Sequence, residues 1–483
     1  MNCRITVNHT SIVISDYNLG DCPELEKNLS VWNEGYFRFE PIGFMYNEKE
    51  RKLYIPRGVS INYVETLLNT NSDVNYVPDP YDEVSIKLKK MPRDDVQRKS
   101  IAFLIGENDF KYTRKYSQLL LNLAPGDGKT FISVAAMTFL RMRTMVVTHM
   151  DKIKKQWYDT LINVTDLSPG YICNISGSSD IKKLLKNNNL KYKVYLVNHG
   201  TLASYAKSNG WEAVSELFKH LKIGVKIFDE AHLHFSNIIK VDLNTNTKKT
   251  IYLTATFERT NRFEARLFNI CFRNLVRFGS ETVNDKEKHI IYIGALYNSH
   301  PSLSTQEYMY IPRRGFNKIR YSEYLSTSQK FFDVLDYVLK YFMKHEGTIM
   351  ILGSKISSIE IIRDFISDNY PNRTVSLYHS KISDAEKLSA LSADIICTTP
   401  QSAGTGFDLP GLRTVIMTES YSSKVEAEQV SGRLRKYSDN DKTFYIELVD
   451  IGFKRAFDMY KQRLKVFKNK CYKVTTINLK DKI

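Results

Sequence analysis

Gln118-Leu119-Leu120-Leu121-Asn122-Leu123 is a short apolar run that empties into Ala124-Pro125-Gly126-Asp127-Gly128-Lys129-Thr130. The helical Phe131-Ile132-Ser133-Val134-Ala135-Ala136-Met137 follows at once. A buried strand, a glycine-bearing loop closing on Gly-Lys-Thr and a helix leave few folds open. In that arrangement backbone N–H groups and the helix N-terminus cradle phosphates, a lysine reaches the β and γ groups, and a threonine binds Mg²⁺. The candidate phosphate-binding residues are therefore Gly126, Asp127, Gly128, Lys129 and Thr130. The strict pattern has its first glycine where this chain has Leu123. Gly126 and Gly128 still permit close backbone approach. Gln97, upstream of the loop, is a candidate reader of the adenine edge.

A second stretch, Val225-Lys226-Ile227-Phe228-Asp229-Glu230-Ala231-His232, runs from an apolar strand into two carboxylates. Acidic residues at the carboxyl end of a strand sit where open α/β sheets bind ligands. One carboxylate, Asp229, suits a metal, and Glu230 suits polarising water. Thr144–Thr148, Val194–Val197 and Ile251–Leu253 read as further strands, alternating with helical segments. That alternation predicts a parallel, doubly wound sheet. A second alternation, at 348–352, 375–379, 394–399, 415–417 and 444–448, has no phosphate loop of its own.

The expected domains are a small α+β N-terminal domain at 1–75, with DNA binding as its candidate role, and a linker at 76–91. The first lobe follows at 92–282 and an irregular, charged inter-lobe segment at 283–330. The second lobe takes 331–452, and a basic helix and tail 453–483. Tyr36–Phe39 and Lys52–Pro56 bracket the polar 47–51, which reads as a hairpin tip. The spacing of Phe453, Phe457, Tyr460, Leu464 and Phe467 predicts an amphipathic basic helix reaching Val474.

The formal charge is +16 on 483 residues, which favours a polyanionic partner such as nucleic acid. Six scattered cysteines read as reduced thiols of a cytoplasmic protein, cellular or in a viral host, with no zinc spacing among them. No stretch is long and apolar enough for a membrane span, so no membrane partner is expected.

Gly126-Asp127-Gly128-Lys129-Thr130, Asp229-Glu230-Ala231-His232, Thr254-Ala255-Thr256, Gly404-Thr405-Gly406-Phe407-Asp408 and Gln429-Val430-Ser431-Gly432-Arg433 stand in a fixed order. The set resembles motifs I, II, III, V and VI of superfamily 2 helicases. The Thr-Ala-Thr form, the Gln156-Trp157 pair and the DEAH box look like the XPB, RecG and UvsW group of DNA helicases. Gly35-Tyr36-Phe37-Arg38-Phe39 and the polar hairpin resemble the first domain of UvsW, and Gly404-Thr405-Gly406-x-Asp408-x-Pro410 is similar to poxvirus transcript-release helicases. The resemblance implies an α/β fold of two RecA-like lobes in tandem, with ATP between them, Mg²⁺ as cofactor, and a nucleic-acid strand across the top.

It further implies that Lys129 and Thr130 hold phosphate and Mg²⁺, that Asp229 holds Mg²⁺ through water, and that Glu230 orients the attacking water. Gln429 and Arg433 would approach the γ-phosphate. Thr254 and Thr256 would couple the sites, with His232 as a relay. Gly404 and Thr405 would touch the strand, and Asp408 would support the lobe interface. The family's second motif VI arginine falls here on Lys436, with Arg435 beside it, and lysine loses the bidentate fork.

The function so implied is that of an ATP-dependent DNA helicase or translocase of viral, phage-type replication, recombination or repair. It would act as a monomer on single-stranded or branched DNA, or on RNA in R-loops, with replication or transcription proteins as partners. Two alternatives are an ATP-driven transcript-release factor acting on a polymerase and a clamp that binds nucleic acid without turnover.

Overall fold

The computed structural model describes residues 3–33, 38–123, 126–231, 233, 235–254, 262–272, 274–279, 287–312, 315–404, 409, 411–419, 430–434 and 442–480. The chain divides into two compact units, Met1–Val283 and Asn284–Ile483.

The first unit begins with β1 (Arg4–Val7), β2 (Ser11–Ser15), β3 (Val31–Asn33), β4 (Arg38–Glu40), β5 (Met45–Asn47), β6 (Lys52–Pro56) and β7 (Ser72–Val74). Five of these form a mixed sheet in the order β5-β6-β2-β1-β7. Alternation buries Ile5, Ile12, Ile14, Leu53 and Ile55 on one side. The polar tip lies between Asn47 and Lys52, which pair across β5 and β6. Arg38–Glu40 pairs with Val31–Asn33 instead, so the aromatic stretch is not the tip's partner strand. The buried side of this small sheet shares one core with Leu120, Phe228 and Tyr252 of the larger sheet. Residues 82–89 form a pinned strap: Val84 N–H donates to Arg141 O at 2.9 Å and Lys89 N–H to Val164 O at 2.8 Å.

The larger sheet comprises β8 (Gln118–Asn122), β9 (Thr144–Thr148), β10 (Ile172–Ile175), β11 (Val194–Asn198), β12 (Val225–Phe228), β13 (Lys249–Thr254) and β14 (Val276–Gly279). Its order is β10-β11-β9-β12-β13-β8-β14, and every pairing is parallel. β9, β12 and β13 are buried along their whole length, as strands covered on both faces must be.

The second unit holds β15 (Glu287–Tyr297), a two-stranded hairpin of β16 (Tyr310–Ile311) and β17 (Gly315–Phe316), then β18 (Thr348–Leu352), β19 (Val375–Tyr378), β20 (Ile395–Thr398), β21 (Leu412–Met417), β22 (Thr443–Asp450) and β23 (Cys471–Asn478). The seven-stranded sheet runs β19-β20-β18-β21-β22-β15-β23, again all parallel. Counted within each sheet, both orders are third, fourth, second, fifth, sixth, first, seventh. The two seven-stranded sheets are therefore topological copies, which is the two-lobe RecA-like fold expected of the sequence.

Two stretches differ from expectation. The segment at 283–330 contains β15, an eleven-residue strand between β22 and β23. Its apolar run, Ile290–Leu296, is preceded by charged residues that mask it in a composition average. The C-terminal helix ends at Lys470, and the following residues form β23 rather than more helix or tail. Val474-Thr475-Thr476-Ile477 is a β-branched run, which suits a pleated edge.

Candidate nucleotide site

β8 delivers the chain to the phosphate loop, and the helix Lys129–Leu140 leaves it. Gly126 and Gly128 have φ of 92° and 86°, in the left-handed region where a side chain is strained. A Cβ on Gly128 would also lie 2.5 Å from Gln97 Nε2. The Lys129 ammonium donates to Leu123 O at 3.0 Å. Thr130 occupies the first turn of the helix, beside the N-terminus that attracts phosphate.

Gln97 is buried, and its amide is engaged with the loop. It donates to Asp127 O at 3.1 Å and accepts from Arg93 N–H at 3.1 Å. The Arg93 guanidinium donates to Gly126 O at 2.8 Å. Arg93 is a loop-holding residue that sequence reasoning missed, because nothing local marks it.

Asp229 and Glu230 follow β12. β13 lies between β12 and β8, so Thr254 at its end stands between the acidic pair and the phosphate loop. Backbone bonds lock the three strand ends. Leu123 N–H donates to Thr254 O at 3.1 Å, Ala231 N–H to Leu253 O at 2.8 Å, and Asp229 N–H to Val147 O at 3.0 Å. Glu230 has φ of 49°, an uncommon value for a residue with a side chain. A tight turn follows, in which Leu233 N–H donates to Glu230 O at 2.7 Å.

The Asp229 carboxylate is held from two sides. Trp157 Nε1–H donates to one oxygen at 2.7 Å and Glu230 N–H to the other at 2.9 Å. Trp157 is fully buried on the helix Asp151–Val164. Burial pushes the Asp229 carboxyl up to about 6, the Glu230 charge adds to this, and Trp157, Lys129 and His149 oppose it. An unfolded aspartate ionises near 4, so the fold favours the protonated form and loses stability as pH rises from about 4 to 6.

One carboxylate and one hydroxyl are hard oxygen donors, which suits Mg²⁺ that takes its other ligands from phosphate and water. Metal-dependent nucleotide binding is therefore expected to weaken as pH falls through about 6. Mg²⁺ titrations of fluorescent-nucleotide binding across this range measure the midpoint. Trp157→Phe removes a bond that favours the carboxylate, so the midpoint should move up. An unmoved midpoint would mean that Trp157 only fills space.

Of the residues assigned to the second unit, Arg433 is half-buried, with its N–H donating to Val430 O at 3.1 Å, and Gly404 closes the short helix Pro400–Gly404. His232, Thr256, Thr405, Asp408, Gln429 and Arg435 lie outside the described residues. At the points of the second sheet that correspond to the phosphate loop and the acidic pair, the chain has Asn298-Ser299-His300-Pro301 and Thr418-Glu419. Glu419 is buried and spent on structure: it accepts from Ser322 Oγ at 2.7 Å and Ser354 N–H at 3.0 Å. Among the described residues, the candidate phosphate-binding residues lie in one copy of the fold.

A family model described as "Type III restriction enzyme, res subunit" matches residues 90–259. The chain is 22% identical over 352 residues to the transcript termination protein A18 of Fowlpox virus, covering 68% of this chain and 69% of that protein. It is 27% identical over 150 residues to the DNA 3'-5' helicase XPB of Kineococcus radiotolerans, covering 30% of this chain but only 24% of that protein. The solved structure of S. cerevisiae Dbp5 bound to RNA and ADP BeF3 matches with a TM-score of 0.54 at 15% identity, covering 80% of this chain and 90% of that one. T4 UvsW aligns over 99% of this chain and 100% of that one at 15% identity, with a TM-score of 0.36 that adds no weight. By its ordered motifs and these matches, the chain is similar to superfamily 2 helicases, among them the XPB and poxvirus A18 proteins.

Proposed function

We propose that this protein couples ATP hydrolysis to movement along DNA, remodelling or unwinding it in viral replication, recombination or repair. The observation that carries the reading is the convergence of the Lys129 loop, Asp229-Glu230 and Thr254 at three adjacent strand ends of one parallel sheet. The second, loop-free copy of the fold supports it, because a motor needs a lobe that moves relative to the hydrolytic one. The +16 charge supports a polyanionic track.

In this reading Lys129 draws out the β and γ phosphates, while Thr130 and Asp229 hold Mg²⁺. Bound Mg²⁺ neutralises charge on the phosphates. Glu230 orients water and takes its proton. Arg433, with Gln429 and either Arg435 or Lys436, supplies positive charge for the transition state. Gln97 sits at the adenine side and holds the loop. Thr254, Thr256 and His232 relay the state of the site, Gly404 and Thr405 touch the strand backbone, and Asp408 supports the lobe interface.

The test is ATP hydrolysis by the full chain alone, with single-stranded DNA, and with RNA. Stimulation several-fold by DNA, together with unwinding of forked or branched duplex, is the expected result. No stimulation by either nucleic acid overturns the reading, and stimulation by RNA alone overturns its DNA track.

One observation favours a second reading. The Fowlpox transcript termination protein matches more of this chain than the XPB protein does. An ATPase that releases transcripts by pulling on template would bind a polymerase, and retention of polymerase on the immobilised protein would favour it.

A further inference from the structure

The rim of the first large sheet opposite the nucleotide site carries a second feature. Here the first residues of β8, β13 and β14 meet the N-terminal module around a cavity of about 680 Å³. β8 is five residues long, so this rim lies roughly 15 Å from the phosphate loop. Five cations line it: Arg57, Arg114, Lys115, Lys248 and Lys249. Among the described residues, no aspartate or glutamate lines it. Among the described residues, none of the five closes an ion pair.

Two cations are partly committed to the fold. Arg114 Nε donates to Gly106 O at 2.7 Å, and Lys249 Nζ donates to Tyr116 O at 2.8 Å. Among the described residues, Arg57, Lys115 and Lys248 have no acidic partner within ion-pair distance. Their field is felt nearby. Burial and then Lys248 push the Lys249 ammonium down to about 8. His9 on the same wall is lowered mainly by burial, and also by Lys248, Arg57 and Lys249.

Two tyrosines stand at the cavity, Tyr76 at 47% exposed and Tyr116 at 37%. Each is held by a cation. Arg57 lies 5.9 Å from the Tyr76 ring centre and donates to its hydroxyl at 2.9 Å, and Lys115 Nζ lies 5.3 Å from the Tyr116 ring centre. Uncompensated cations beside exposed, fixed aromatic rings are the combination that binds single-stranded nucleic acid without sequence preference. Phosphates take the charges and bases stack on the rings.

We propose that this cavity is a second nucleic-acid site, taking a single strand on the rim of the lobe away from the nucleotide. It holds a strand other than the one a motor would track, such as a displaced strand. This goes beyond the ATPase reading and does not depend on it.

The test uses the full chain, a fluorescent single strand of about 12 nucleotides, and anisotropy across a salt series. Arg57→Ala/Lys115→Ala/Lys248→Ala removes the three cations that hold no backbone carbonyl. Three phosphate contacts at roughly 0.7 each predict that the salt slope shrinks by about 2, with affinity weaker by at least about tenfold. Tyr76→Ala/Tyr116→Ala should weaken binding about fivefold or more while leaving the slope unchanged.

Hydrolysis without nucleic acid should stay at the parent rate in both variants. Should the triple variant melt early, Lys115→Ala/Lys248→Ala spares the Arg57–Tyr76 bond and should still lower the slope by about 1. Unchanged slope and affinity overturn the proposal. So does stabilisation of the parent, but not the variant, by inorganic pyrophosphate when oligonucleotide binding is equal, since the cavity then takes a small anion. If the parent binds no nucleic acid at all, the motor reading falls as well. If the parent binds and the triple variant matches it in slope and affinity, this proposal falls alone.

Discussion

Glu230→Gln is expected to lower ATP hydrolysis by about 10²- to 10⁴-fold, the range a positioned general base contributes. The substitution keeps the side chain's length and leaves the backbone turn at φ of 49° unaltered. Only the ability to accept a proton is lost. Nucleotide binding should persist or tighten, because the Glu230 charge is one of the forces holding the neighbouring Asp229 carboxyl up at about 6. Removing that charge lets Asp229 ionise more readily and hold Mg²⁺ better. Phosphate release and fluorescent-nucleotide affinity measured on one preparation separate the two effects. A variant that keeps more than about a tenth of the parent rate would assign the base elsewhere.

The second large effect is on stability. Asp242→Ala should destabilise the first unit by about 3–5 kcal/mol, the usual cost of leaving one member of a buried pair alone. Lys226 and Asp242 are fully buried and 2.5 Å apart. Tyr252 OH donates to the same carboxylate, as does Gln118 Nε2 at 2.9 Å. Lys226 Nζ also donates to Thr245 Oγ1 at 2.6 Å, and Thr245 O accepts from Thr10 Oγ1 at 2.8 Å. The network thus ties three strands to the helix Phe235–Leu243 and to the N-terminal module. A fall in melting temperature on the order of 10 °C is expected. Lys226→Met combined with Asp242→Leu should recover part of it, because no lone charge stays buried. A single variant melting within a degree or two of the parent would contradict this account.

The phosphate loop, the acidic pair and most strands were legible in the sequence because their chemistry is local. Phosphate cradling needs Gly126, Gly128, Lys129 and Thr130 within five residues, and a covered strand announces itself as an apolar run. What was not legible depends on residues far apart. Trp157 reaches Asp229 across 72 positions, and nothing beside Trp157 names its partner. Lys226 sits among apolar neighbours with nothing local to explain its charge, and only its distant partner Asp242 makes it part of the core. β15 was hidden by the charges before it, and β23 by the basic helix it follows. Gln97 was visible as a candidate, but its grip on Asp127 O was not.

The order of the second sheet bears on how the chain comes off the ribosome. β15 ends at Tyr297, and both its neighbours are made far later, β22 from Thr443 and β23 from Cys471. At 5–20 residues per second the strand waits on the order of ten seconds for its first partner. Through that interval an eleven-residue strand carrying Ile290, Ile291, Tyr292 and Ile293 has both edges open, a template for pairing with another nascent chain. The first unit, whose strands all precede it, can already be folded. Translation speed between β15 and β22, more than the stability of the finished lobe, should then set how much protein escapes aggregation.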